Sequence, residues 1–256
     1  MSSAQTLHGS GEVLAIIPAR WNSSRFPGKP VALIAGKPMI VHVWEKVLLT
    51  ESVDRAVIAT DDERIAAVCR EYGMACEMTS PDHATGTDRI SEVASRVAAG
   101  MYVNVQGDEP IIEPKAIDNV VSCLSAALGR GIEVSTGYIN SSTPEQEASS
   151  AVVHLVPTVD NCVLYFSRLP GPMNFRTPFK HTVHVGLYAF TGRALNKFRH
   201  WQQGPVEQAE SIELMRFLEH GDRIACTSVP SGSIGVDHPE DIARIEAILR
   251  NTNHSS

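Results

Sequence analysis

Residues 13–30 read VLAIIPARWNSSRFPGKP. The first seven form an unbroken apolar run, the signature of a strand buried on both faces of a parallel sheet. The run then gives way to a loop of Gly, Pro, Ser and Arg. Working outward, a helix is expected near Pro38, since proline suits a first helical turn. AVIAT over 56–60 is a second buried strand. Asp61 then reads as the cap of a helix through ERIAAVCREY that stops at Gly73. A helix over about Asp88 to Ala99 leads into the strand MYVNVQ, the turn GDEP, and a helix from Pro114 to about Leu128. Strands alternating with helices of this length predict an α/β fold with a mostly parallel central sheet and helices on both faces.

After about residue 130 the pattern changes. IEVSTGYI, AVVHLV, NCVLYFS and HVGLYAF are strand-like, and helices are sparse until Glu207. This stretch, about 130–206, is expected to form a smaller mixed-strand subdomain or an oligomer contact. A helix to Glu219, the strand RIACTSV and a helix from about Pro239 to Arg250 close the chain. A single domain over 12–250 follows, with flexible tails at 1–11 and 251–256.

The 256 residues include 22 Lys plus Arg against 29 Asp plus Glu, a net charge of −7. With 43% hydrophobic and 20% charged residues, disorder is excluded. The negative charge argues against a nucleic-acid partner, which needs basic surface to neutralise phosphates. It leaves room for a small anion held by a local cationic cluster. Five cysteines without a CxxC pair suggest neither a disulfide framework nor a zinc ribbon. The apolar run Val13 to Ala19 is too short for a signal-peptide core or a membrane span. A cytoplasmic protein with no membrane partner is expected.

Ligands of open α/β sheets bind beyond the carboxyl ends of the strands. The loop after the first strand carries Arg20, Arg25 and Lys29, with Ser23, Ser24 and Gly28 between them. Three cations with hydroxyls and accessible backbone N–H groups suit a polyphosphate, although G-x-x-x-x-G-K-[ST] is absent. Alone, the cluster reads equally as a solvated basic loop. VNVQGDEP sets Asp108 directly after a buried strand, where a carboxylate can hold Mg2+ together with substrate phosphates. Capping of the next turn is the competing reading there. Asp237, in GVDHPED, is placed similarly, yet D-x-P-E-D is also a helix-start signal. His181 and His184 fall on opposite faces of a strand, so shared metal ligation is not expected. A thiol nucleophile is not expected among the cysteines.

Nine segments taken in order closely resemble the 3-deoxy-manno-octulosonate cytidylyltransferases, also called CMP-Kdo synthetases. They are IIPARWNSSRFPGKP, GKPMIVHVWEKV, VIATDDERI, MTSPDHATGTDRISEV, VNVQGDEPII, VLYFSRLPGP, HVGLYAF, RFLEHG and GVDHPEDIARIE, spanning residue 16 to about 246. The resemblance implies a Rossmann-like nucleotidyltransferase fold and a Mg2+-dependent transfer of CMP from CTP to a 2-keto sugar acid, with release of pyrophosphate. It also implies a homodimer. Carried over by motif, Arg20, Arg25 and Lys29 would hold the triphosphate. Pro18 and Ala19 would read the cytosine edge through their backbone. Ser24, Thr87, Arg89 and Gln106 would lie near the nucleotide. Asp108 and Asp237 would hold Mg2+. Arg168, His184, Tyr188, Glu213 and Leu214 would face the small anionic acceptor, a guanidinium being suited to its carboxylate.

The departures concern the acceptor. The family usually reads L-E-Q-L-R where this chain has I-E-L-M-R over 212–216. Leu214 thus replaces a Gln expected to bond the sugar. PGPMNF also stands in place of the usual P-I-P run, in a short stretch between Pro170 and His181. These differences raise two alternatives: the same transfer to another small acid such as a phosphonate, phosphonoformate for example, or a nucleotide-binding regulator without catalysis.

Overall fold

The computed structural model describes residues 11–23, 25–230 and 234–253. The opening apolar run is strand β1, Val13–Ala19, buried over nearly its whole length. A short hairpin follows, β2 (Leu33–Ile34) with β3 (Lys37–Pro38), then helix α1, Met39–Val47. β4 (Arg55–Thr60), α2 (Glu63–Glu71), β5 (Cys76–Met78), α3 (Gly86–Ala94), β6 (Met101–Val105) and α4 (Pro114–Ala127) complete the alternating half. The second half runs β7 (Val134–Ile139), α5 (Pro144–Glu147), β8 (His154–Pro157), β9 (Val163–Ser167), β10 (Val183–Thr191) and α6 (Gly192–His200). It ends with α7 (Pro205–Glu210), α8 (Met215–Glu219), β11 (Ala225–Ser228) and α9 (Asp241–Asn253).

The main sheet has the order β11-β7-β10-β6-β1-β4-β5. β1 is parallel to β4 and β6, β4 to β5, and β11 to β7, while β10 runs antiparallel to both β6 and β7. One reversed strand therefore stands within an otherwise parallel sheet. β7 and β10 are integral to it, so the mixed-strand region expected over 130–206 does not stand apart as a whole. What branches from the sheet is the antiparallel pair β8 and β9.

Alternation along each strand sends side chains to the two faces in turn. Ala15, Ile17, Val103 and Leu187 pack on one face with Val43 of α1 and Val120 and Leu124 of α4. Leu14, Ile16, Tyr102 and Phe190 pack on the other with Ile90 of α3, Phe198 of α6 and Phe217 of α8. A smaller cluster pins α9 through Ile245 against Ile34, Met39 and Val236, and this anchors the chain's end beside the basic loop.

Several local expectations are corrected. Asp62, not Asp61, caps α2, its side chain accepting from Arg64 N. α3 starts at Gly86, two residues before the expected Asp88, because Thr85 and Asp88 form a reciprocal capping box. It ends at Ala94 rather than Ala99. α6 lies where helices were expected to be sparse. Its cues are Thr191, which accepts from Ala194 N, and an apolar stripe at Ala194, Leu195 and Phe198. The helical stretch before Glu219 is broken in two at Ser211, whose φ is +54°. α9 continues to Asn253, beyond the expected end at 250. Among the described residues no helix is long and apolar enough to cross a membrane.

Candidate active site

A cleft of about 210 Å3 opens where β1 and β6 end. Its floor comes from Pro18 and Ala19, one wall from Arg20, Ser23, Arg25 and Lys29, and the opposite wall from His83 to Gly86 with Arg89. Gln106, Gly107, Asp108 and Asp237 close it. Every nucleotide-side residue expected from the sequence lines this cleft except two. Thr87 is wholly buried just behind the wall, and Ser24 lies outside the described residues.

The basic loop is folded on its own backbone, with Gly28 N and Ser23 N both donating to Trp21 O. Gly28 has φ +72°, and a Cβ there would stand 3.0 Å from the Trp21 ring, so glycine is required. The Arg64 guanidinium covers that indole at 3.4 Å from the ring centroid. Lys29 then begins a short 3-10 turn with Pro30 behind it, which aims its side chain into the cleft. Gly107 makes the second close approach. A Cβ there would lie 2.7 Å from Pro18 O, so only glycine lets the end of β6 press against the end of β1.

That approach sets Asp108 against Lys29, with Nζ donating to Oδ2 at 2.5 Å. Val236 N donates to Asp108 O at 2.9 Å, and Lys29 Nζ donates to Val236 O at 2.8 Å. Asp237 follows, paired with Arg25 at 2.8 Å and 3.8 Å from Lys29 Nζ. The helix-start role suspected of Asp237 falls to Asp241, whose Oδ2 accepts from the N–H groups of Asp237 and His238 at 2.8 Å each. The Asp237 carboxylate is thereby left facing the cations. Two carboxylates and a carbonyl are hard oxygen donors and fit a divalent cation such as Mg2+. Among the described residues no group of three or more His, Cys, Asp or Glu is placed to hold a metal. Any metal here would complete its coordination with oxygens from water or from a bound ligand.

On the opposite wall, Arg89 is nearly buried and donates to Asp61 Oδ2 at 3.0 Å and to Thr79 Oγ1. Asp61, read from sequence as a cap, is thus the counter-ion of a cleft arginine. Thr85, His83 and Ala84 contribute to the cleft without having been singled out in the sequence. The T-x-x-D spacing of Thr85 and Asp88 was the available signal.

The acceptor residues divide. Thr87 N donates to Glu213 Oε2 at 3.0 Å, which joins Glu213 to the cleft wall. Burial pushes the Glu213 carboxyl up, against the lowering effect of the Thr87 bond. Tyr188 lies near Glu213 and Glu109, and burial followed by those charges raises its phenol well above the usual range. His184 stacks on Tyr188, ring centroids 5.6 Å apart, and meets the edge of Phe166 at 4.8 Å. A Cβ added at Gly186 would lie 3.3 Å from Gln106, so the cleft residue Gln106 packs close to β10 between His184 and Tyr188 in sequence. Arg168 stands apart: its Nε donates to Glu210 O and its guanidinium to Ser150 O.

Leu214 is a correction. Expected on the acceptor side, its side chain is wholly buried within the apolar cluster that also holds Ile90, Phe190 and Phe217. The adjacent Glu213 takes the cleft side. A buried Leu214 does not by itself argue for a different acid, while the PGPMNF stretch before His181 remains as a departure on the acceptor side. His181 precedes β10 rather than sharing the strand with His184; it pairs with Glu147 and Pro172 O, and His184 with Thr136.

Residues 14–224 match the family described as Cytidylyltransferase. The chain is 43% identical over 248 residues to 3-deoxy-manno-octulosonate cytidylyltransferase of Geobacter sulfurreducens, covering 91% of this chain and 97% of that one. It is 40% identical over 245 residues to the enzyme of the same name from Myxococcus xanthus, covering 94% and 98%. A solved structure of CMP:2-keto-3-deoxy-manno-octonic acid synthetase complexed with CTP superposes with a TM-score of 0.87. Its sequence is 34% identical, and the match covers 94% of this chain and 99% of that one.

Proposed function

The chain belongs to the 3-deoxy-manno-octulosonate cytidylyltransferase family, and on that premise we propose that it transfers CMP from CTP to a Kdo-type 2-keto sugar acid. An acceptor hydroxyl oxygen attacks the α-phosphorus in line and gives up its proton to solvent. The bond from that phosphorus to the bridging oxygen breaks, and pyrophosphate leaves. Catalysis of this kind rests on positioning and charge stabilisation. The observation that carries the reading is the convergence of Arg25 and Lys29 with Asp108 and Asp237 at the ends of β1 and β6.

Arg20, Arg25 and Lys29 bind the triphosphate and offset the charge that builds on the leaving pyrophosphate. Pro18 and Ala19 present backbone to the cytosine edge, and Arg89, fixed by Asp61, closes that side. Asp108 and Asp237 would hold Mg2+, which when bound supplies charge neutralisation and a template for the phosphate and sugar-acid oxygens. Glu213, Tyr188 and His184 orient the acceptor beside Gln106. Arg168 offers a cation to the acceptor carboxylate once released from Glu210 O and Ser150 O.

Exposed Leu164 on β9, with Leu169, Met173 and Phe175 on the loop after it, favours a homodimer built on this apolar surface. Sedimentation at micromolar concentration would show a dimer, and a monomer would overturn that part. A cytoplasmic location accords with five free thiols.

The activity is tested by pyrophosphate release from CTP with Mg2+ and three acceptors: Kdo, 8-amino-Kdo and phosphonoformate. Turnover is expected with Kdo and lost in Asp108→Asn, with the fold kept because the change removes charge but little volume. Release with phosphonoformate alone would move the assignment to a phosphonate. No release with any acceptor would favour the regulator reading.

A further inference from the structure

The two carboxylates read as metal holders already carry a cation in the free protein. Lys29 Nζ is surrounded by Asp108 Oδ2 at 2.5 Å, Val236 O at 2.8 Å and Asp237 Oδ1 at 3.8 Å. Two of its three N–H donors are hydrogen-bonded, to Asp108 Oδ2 and Val236 O, and the Asp237 carboxylate adds an ion pair at longer range. The Lys29 side chain is only 13% exposed, so water screens these contacts poorly. It is fixed from behind by the Gly28 turn, with Pro30 next in the chain. Arg25 also reaches Asp237, but both side chains of that pair are about half exposed, 54% and 44%, and solvent weakens it.

A divalent ion approaching this carboxylate pair therefore meets a like charge and finds Asp108 Oδ2 taken. A triphosphate changes that balance, because it offers the ammonium a more anionic partner on the open side of the cleft. Lys29 leaves, both carboxylates are freed, and the phosphates add the oxygens that the protein lacks. We infer that Lys29 is a built-in counter-cation that keeps the Asp108–Asp237 pair closed to divalent metal until a nucleoside triphosphate draws the ammonium away. Metal and nucleotide then bind with positive coupling, and the metal-only complex is suppressed. This rests on the reading of Asp108 and Asp237 as metal holders, and it adds a second, opposing task to Lys29.

The test reads metal binding without turnover. Mn2+ is titrated into nucleotide-free protein and followed by water-proton relaxation and by the electron paramagnetic resonance signal of free Mn2+. Lys29→Met should bind Mn2+ about tenfold or more tightly than the wild type, within the usual range of site coupling. Arg25→Met should change affinity by much less, and Asp108→Asn combined with Lys29→Met should remove the gain. In the wild type, protein-bound Mn2+ should appear when CTP is added. That comparison needs no variant, and Lys29→Gln substitutes if Lys29→Met does not fold. Wild-type protein that takes up Mn2+ equally with and without CTP, through Asp108, overturns the inference and leaves the metal reading standing. Absence of bound Mn2+ in every protein, with CTP present, overturns the metal reading and the inference together.

Discussion

The hydroxyl of Thr136 fixes the tautomer of His184. Thr136 Oγ1 donates its single proton to Leu187 O at 3.0 Å. Toward His184 Nε2, 2.9 Å away, it can then only accept. The neutral imidazole is thereby assigned as Nε2–H, which leaves the Nδ1 lone pair to accept a hydrogen bond. Stacking on Tyr188 and the edge of Phe166 bury the ring, and that burial lowers its pKa to about 3. A neutral ring with one free acceptor suits a hydroxyl-bearing ligand better than a carboxylate.

Stability should therefore fall with acid in a defined window. The folded pKa near 3 lies below the unfolded value of 6.5, so between those values the unfolded chain binds the extra proton. The neutral ring's contribution is complete above pH about 6.5 and is lost progressively down to about 3. His184→Gln should flatten this part of the pH–stability curve, measured as urea midpoints from pH 7 to 4. Thr136→Val should shift the imidazole nitrogen resonances away from a pure Nε2–H tautomer. An unchanged slope in His184→Gln would count against the buried neutral ring.

Leu214→Gln, which restores the family's usual side chain, should harm rather than help. Leu214 is wholly buried and belongs to a large apolar cluster. An amide placed there loses hydrophobic burial and finds no partner, at a cost of about 3 kcal/mol. The midpoint of thermal unfolding should drop by several degrees, with no gain in acceptor affinity. A lower KM for Kdo in this variant would return position 214 to the acceptor site.

Much of the site was legible from the chain because it sits where strand patterns end. The apolar run of β1 and the Gly/Ser/Arg loop after it locate the cations, and the turn after β6 locates Asp108. Sidedness was less legible. Neighbours such as Glu213 and Leu214, or Asp61 and Asp62, differ in role only because backbone direction turns one toward the cleft and the other away. The approach of Gly107 to Pro18 O depends on two strands being paired, which local composition does not record. The Thr85 box and the Thr191 cap were readable signals.

Arg216 and Glu207 form an ion pair in which both side chains are almost completely buried, with Nη2 to Oε1 at 2.7 Å and Nε to Oε2 at 2.8 Å. The same guanidinium donates to Asp88 of the α3 capping box and lies 3.7 Å from the Phe198 ring centroid. Glu207→Ala leaves a buried charge with only part of its compensation and should destabilise by about 3–5 kcal/mol. Replacing both residues, Glu207→Leu with Arg216→Met, should recover a good share of that loss. Calorimetry on the three proteins reads this directly, and equal stability of Glu207→Ala and the wild type would contradict the buried-pair account.

Asp61 and Asp62 are adjacent in sequence and should separate cleanly in function. Asp62 caps α2 and also pairs with the exposed Arg64, which holds its carboxyl below the usual range. Asp62→Ala should cost about 1 kcal/mol of stability and leave nucleotide affinity unchanged. Asp61 lies in the wall behind the cleft, where Oδ2 holds Arg89 and Oδ1 is buried with no hydrogen bond in the free protein. Asp61→Asn keeps the shape and removes the charge that fixes the arginine, so CTP should bind roughly tenfold more weakly. The two effects are read together by calorimetric titration of CTP and by thermal unfolding. Weakened CTP binding in Asp62→Ala with none in Asp61→Asn would reverse the assignment of the pair.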